Sequence, residues 1–252
     1  DPHGSAGSPR SQRSCVPGYR RGRQRIRGRA RPDVGAPGRA PPAAHAHRRR
    51  GRRAGHALPA DRRARLAAAH LRAEPGARRI YSSAGFELLA DFLTEQTGIA
   101  FPEYLREAVF EPLGMRTALL DGSAGHAARA ALGDLTLFAG ELLTPQLISG
   151  QTLAEATSVQ FPDRDGILPG YGSQRPNDWG LGFEIRDGKT PHWTGTANSG
   201  RTYGHFGQSG TFLWVDPEIG VATIALSDEN FGDWARTAWP KLSDSVIAET
   251  HN

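Results

Sequence analysis

The sequence predicts an α+β fold: an antiparallel β-sheet flanked by helices, with a helical part ahead of the sheet in the chain. Three observations carry this. Apolar residues recur at helical spacing from about residue 84 to residue 160. The period then falls to two between residues 179 and 228. Residues 233–250 return to helical spacing, as a last helix laid on the sheet.

The elements follow in order. In "AGFELLADFLTEQTG", Phe86, Leu89, Leu93 and Thr97 share one helical face, and Gly98 is a natural stop. "FPEYLREAVFEPLGM" follows, with Pro102 near a helix start and Leu105, Val109 and Phe110 on the apolar side. "ALGDLTLFAGELLT" and "SGQTLAEATSVQ" read as two further helices, and residues 160–178 as a loop rich in Asp, Gly, Pro and Asn. "WGLGFEIRD" (179–187), "TYGHFG" (202–207), "TFLWVDP" (211–217) and "GVATIALSD" (220–228) read as successive antiparallel strands, with Asp216-Pro217-Glu218 as a hairpin turn. "DWARTAWPKLSDSVIAET" is the closing helix, expected to be interrupted at Pro240.

Charge divides the chain in two. Residues 1–80 hold 21 Arg, no Lys and four acidic residues, a balance of +17; the rest of the chain stands at −12, for a total of +5. Stretches such as "RRGRQRIRGRARPD" and "HRRRGRRAGHA" bury too little apolar area to offset chain entropy, so residues 1–60 are expected to be disordered or non-native. Residues 61–73 have the makings of a short helix, with only Leu66 and Leu71 on its apolar face. Three readings stand for the Arg-rich part: a nucleic-acid-binding arm, a solvated tail, or a GC-rich gene read in a shifted frame. The lack of Lys, and of any aromatic residue other than Tyr19 before Tyr81, favours the last, and no specific nucleic-acid partner is expected.

Some function classes are set aside by composition. Cys15 is alone, so neither an internal disulfide nor a Cys-based metal site is expected. There is no His-Glu-x-x-His, and His45 and His47 lie in the Arg-rich segment; no metal or cofactor is expected. No apolar run is long enough for a membrane-spanning helix, and the N-terminus lacks a signal peptide's apolar stretch; compartment and oligomeric state stay open. "GQSGT" (207–211) falls short of the Gly-x-Ser-x-Gly nucleophile elbow at Thr211, and joins strand to strand rather than strand to helix.

Tyr81-Ser82-Ser83, introduced by Pro75-Gly76, then "PLGM" (112–115), "WGLGF" (179–183) and His205-Phe206-Gly207 stand in a telling order. On these motifs the chain resembles the serine β-lactamase and penicillin-binding-protein superfamily, on its branch nearest class C enzymes and related esterases and peptidases. The resemblance covers about residues 72–250. It implies a β-lactamase/transpeptidase-like fold with a helical subdomain, and a small acyl compound as substrate. Tyr81 would stand in the Tyr-x-Asn triplet as a proton shuttle, its phenol activated by nearby cations. His205 would begin the strand that lines the cleft, where many relatives have Lys. Gly207 would let substrate lie against that strand, and the Gln208 N–H would be one oxyanion donor, with Ser209 beside it.

Two departures matter. Ser83 replaces the Asn of the triplet, keeping one hydroxyl donor in place of an amide. No Ser in the chain is followed three residues later by Lys: Lys189 and Lys241 are preceded at that spacing by Arg186 and Ala238. The family's Ser-x-x-Lys nucleophile would lie upstream of Tyr81, where this chain is Arg-rich, so the fold is expected to be incomplete at the N-terminus through truncation or frame shift, with an open sheet edge and poor solubility. The functional expectation is a serine hydrolase acting on an ester, amide or β-lactam through an acyl-enzyme, inactive as written. The alternative is a non-catalytic pseudoenzyme that keeps a ligand cleft, with a basic arm for acidic partners.

Overall fold

The computed structural model describes residues 26–27 and 73–250. In chain order the elements are β1 (Ile26–Arg27), α1 (Ser83–Thr97), α2 (Phe101–Leu105), a π-helical turn (Arg106–Phe110), α3 (Glu111–Leu113), β2 (Leu119–Leu120), β3 (Ala128–Arg129), α4 (Leu132–Leu143), α5 (Gly150–Ala156), β4 (Gly166–Leu168), β5 (Gly172–Gln174), β6 (Glu184–Ile185), β7 (Tyr203–Gly207), β8 (Thr211–Asp216), β9 (Val221–Ala225) and α6 (Asp233–Ala248). The main sheet has the order β1-β9-β8-β7-β6, antiparallel throughout, with Gly204 opposite Trp214 and His205 opposite Leu213.

Alternation along the strands builds two cores, one on each face of this sheet. On one face, α6 presents Ala235, Trp239, Ser243, Val246 and Ile247, spaced at roughly one and two helical turns. These meet Phe212, Trp214 and Trp193, with Phe206 and Phe231 at the margin. The fully buried Trp214 donates its indole N–H to Ser243 Oγ at 3.1 Å, so the polar edge of the ring is satisfied. On the other face, Ala139 and Leu142 of α4 pack on Ile185, Tyr203, Val215 and Ala222, and the Tyr203 hydroxyl donates to the Leu142 carbonyl at 3.0 Å.

The structure departs from the sequence expectations at several points. Pro240 lies inside α6, which runs on unbroken because its buried face is anchored in the core on both sides of the proline. Residues 160–178 contain the β4–β5 hairpin, with Gly172 at φ 82° where it opens the return strand. Of residues 179–187 only Glu184–Ile185 form a strand, since Gly182 turns at φ 85° just before it. In α1 the buried position is Ala90, whereas Leu89 and Thr97 face outward. Within the Arg-rich segment, Ile26–Arg27 pair with β9 as an edge strand; the short helix expected over 61–73 falls almost wholly outside the described residues. No helix among the described residues is long and apolar enough to cross a membrane.

Candidate active site

β6 covers only the first half of β7: Glu184 pairs with Gly204 and Ile185 with Tyr203. From His205 to Gly207 the outer side of β7 carries no strand among the described residues, and this edge is where the sequence motifs converge. Tyr203 turns to the α4 core and Phe206 to the α6 core. His205, by alternation, faces the side of the helical part. There its imidazole meets two rings: its centroid lies 5.9 Å from that of Tyr81 and 5.7 Å from that of Trp179. Tyr81 and Trp179 are themselves 5.9 Å apart, so the three rings form one cluster. Tyr81 keeps 42% of its surface exposed.

The glycines on this ribbon are there for close approach. A Cβ on Gly204 would lie 2.1 Å from the Leu213 carbonyl oxygen, so β7 and β8 touch with no room for a side chain. A Cβ on Gly207 would crowd Ser209 Oγ and Thr211 Oγ1 at 3.2 Å each, and Gly210 turns the hairpin at φ 77°. The Gln208 carbonyl accepts the Phe231 N–H at 2.9 Å, which fixes the tip of the hairpin; the Gln208 N–H has no backbone acceptor among the described residues. Ser209 is exposed on that turn, its hydroxyl 3.2 Å from Thr211 Oγ1. Ser83 opens α1 two residues after Tyr81, but its Cβ and backbone abut Gly125, whose own Cβ would lie 2.8 Å from Ser83 Cβ. Tyr81, Trp179 and His205 are thus in contact, with Gly207, Gln208 and Ser209 following on the same ribbon, while Ser83 lies against the turn at Gly125.

What places Tyr81 is a residue the sequence did not flag. Arg79 donates from Nε to the Asn177 carbonyl at 2.7 Å and from Nη2 to the Gln160 and Phe161 carbonyls, and its backbone N–H reaches Asp165 O at 2.8 Å. One side chain thereby ties the segment before Tyr81 to the loop that delivers Trp179. Next to Trp179, Asp178 is 7% exposed and its Oδ1 has no hydrogen-bond partner among the described residues. Burial and the nearby Asp187 push its pKa up.

Behind β6 lies a buried charged network, also unmarked in the sequence. The Glu184 carboxylate accepts from Lys189 Nζ, from His192 Nε2 at 2.9 Å and from Trp193 Nε1 at 2.9 Å, and Lys189 Nζ also donates to the Asp178 carbonyl at 2.6 Å. The Thr194 N–H donates to His192 Nδ1 at 3.1 Å, which makes Nδ1 the acceptor and Nε2 the protonated nitrogen of a neutral ring. Burial opposes the charge on Glu184, but His192 and Lys189 overcome it and hold its pKa below the usual carboxylate range. Glu184 lies in the two-residue β6, and Lys189, His192 and Trp193 lie in the loop that follows it, with no periodicity, so no spacing announces them.

The electrostatics favour neutral partners in the cleft. Burial lowers the His205 pKa, against opposing effects of the Phe206 backbone and the more distant Glu184. Burial raises the Tyr81 pKa, and no cation among the described residues offsets it. Among the described residues, the group beside Tyr81 is an imidazole whose charge burial opposes. Side by side, a phenol and a neutral imidazole can hydrogen-bond a substrate and relay a proton.

The geometry agrees with what is found among known proteins. A β-lactamase from Mycobacterium bovis superposes with a TM-score of 0.70 at 57% identity, covering 71% of this chain and 66% of that one, so this chain spans about two thirds of that protein's length. A hydrolase with promiscuous acyltransferase activity, EstCE1, superposes at TM-score 0.58 with 18% identity over 72% of this chain and 59% of its own, a likeness of fold. A D-aminopeptidase from Cereibacter sphaeroides is 36% identical over 59 residues, which is 23% of this chain and 11% of that protein. The β-lactamase family model matches residues 32–246, most of the sequence, and this chain belongs to the β-lactamase family.

Proposed function

We propose that the cleft of Tyr81, Trp179 and His205 is the acyl-transfer wall of a serine hydrolase that acts on an ester, amide or β-lactam. The contact between the Tyr81 and His205 rings, at the start of a strand edge left open by β6, is the observation that carries this reading. The open edge leaves room for an extended acyl group, and the Gln208 N–H, which has no backbone acceptor among the described residues, is the oxyanion donor. Tyr81 and the neutral His205 move a proton between nucleophile, substrate and leaving group. The similarity to the M. bovis β-lactamase, to EstCE1 and to the D-aminopeptidase supports the same class of chemistry without choosing among lactam, ester and peptide.

The sequence contains no Ser-x-x-Lys. That observation favours a second reading beside the first, in which the chain as given binds acyl compounds without turning them over, with its basic arm meeting acidic partners. One experiment addresses both. The purified chain is mixed with a chromogenic cephalosporin and a p-nitrophenyl ester, and binding and product release are followed separately. Saturable binding that weakens about tenfold in His205→Ala, as for one lost hydrogen bond of about 1.4 kcal/mol, is expected on both readings; product release above the buffer rate marks the first, and release at the buffer rate the second. Binding indifferent to both Tyr81→Phe and His205→Ala would remove the cleft assignment. Turnover that disappears in Ser209→Ala would move the nucleophile to the hairpin tip.

A further inference from the structure

A cavity of about 670 Å³ lies between α6 and the loop 186–196. It is not part of the cleft. Along β7, His205 faces Tyr81, whereas Phe206 packs on Tyr171 at 5.9 Å and on Trp239 at 5.7 Å, toward α6. Tyr171 lines the cavity, which therefore opens on the opposite face of the strand. Its size is in the range of small-molecule sites, roughly 300–1,000 Å³.

The lining is cationic. Arg186, Lys189 and Arg236 face it, against the single carboxylate of Asp233. Lys189 is neutralised from behind by Glu184. Arg186 has no ion-pair partner among the described residues: Nε donates to the Gly195 carbonyl at 3.1 Å and Nη1 to the Asp187 carbonyl at 3.0 Å, which orients the guanidinium through neutral acceptors. Arg236 meets Asp233 at 3.1 Å, but that carboxylate is 97% exposed, so the pair is weak and the guanidinium is free to take a better acceptor. Thr190 and Thr237 add hydroxyls, and the N-terminal half of α6 adds its dipole. At the wall, the Tyr171 hydroxyl is buried without a hydrogen-bond partner among the described residues. Pro191, Pro240 and the Tyr171 ring supply apolar surface that a bare ion would not use.

We propose that this cavity binds a small organic oxyanion, a carboxylate or phosphate, between the guanidinium groups of Arg186 and Arg236. The oxyanion accepts from both forks in the way such pairs recognise carboxylate and phosphate, and the body of the ligand lies on the two prolines.

The test uses the full chain at constant ionic strength, with succinate and inorganic phosphate as separate probes, read by calorimetry and by the thermal midpoint. Saturable binding of at least one probe is expected, weakened tenfold or more by Arg236→Gln and by Arg186→Gln, and unchanged by Tyr81→Phe. Saturation by only one probe assigns the chemistry to carboxylate or to phosphate. Arg236 is exposed, so its variant keeps the test sound if Arg186→Gln loosens the loop. Binding of neither probe, binding indifferent to both arginine substitutions, or binding lost in Tyr81→Phe would each overturn the proposal.

Discussion

The Glu184 carboxylate accepts from an ammonium, an imidazole and an indole, all of them buried. Removing its charge leaves Lys189 in the interior with carbonyls for company. Glu184→Gln is expected to cost about 3–5 kcal/mol in chemical denaturation, and adding Lys189→Met should recover much of that loss. The histidines set a pH dependence. His192 and His205 both have pKa values lowered by burial, so the unfolded chain takes up protons first as pH falls through about 6.5. Stability is therefore expected to decline from pH 7.5 to 5.5, and His205→Asn should flatten that slope. Tyr81 and His205 were legible in the sequence because each stands in a short motif whose order survives in one dimension. Arg79 was not: its acceptors lie 81 to 98 residues away, in a loop that only the folded chain brings near.

Strand β7 shows how an element meets several demands in five residues. Its alternation sends Tyr203 and Phe206 into different cores, and Gly204 admits the backbone of β8. Gly204→Ala is expected to destabilise the protein by about 1–3 kcal/mol, measured by thermal or denaturant unfolding, because the new methyl meets the Leu213 carbonyl rather than a movable side chain. Strands β7, β8 and β9 were plain in the sequence, since each is a short run rich in β-branched and aromatic residues bounded by turn residues. The truncated β6 and the β4–β5 hairpin were not, because glycines at positive φ decide where those strands start and stop, and glycine fits a loop equally well. Helix α6 carries the same lesson: Pro240 signals a break locally, and the burial of Trp239 and Val246 on either side overrides it.

At the scale of the whole molecule, two cores grip one sheet, and the aromatic one does much of the holding. Trp239 contacts Phe206, Phe212, Phe231 and Trp234, with ring centroids between 5.1 and 6.0 Å. Trp239→Ala is expected to cost about 3–5 kcal/mol and to loosen α6, which hydrogen exchange would register along that helix. The α+β architecture was readable from the sequence because the helical and strand periods occupy separate blocks of the chain. The pairing of Ile26–Arg27 with β9 was not, since two residues carry no period at all.

The ring cluster also gives the cleft an optical voice. Of the five tryptophans, Trp179 has its indole 5.7 Å from the His205 imidazole, and a protonated imidazole quenches indole emission far more strongly than a neutral one. An acid titration of intrinsic fluorescence, compared with Trp179→Phe, would therefore report the charge state of this one histidine from inside the pocket.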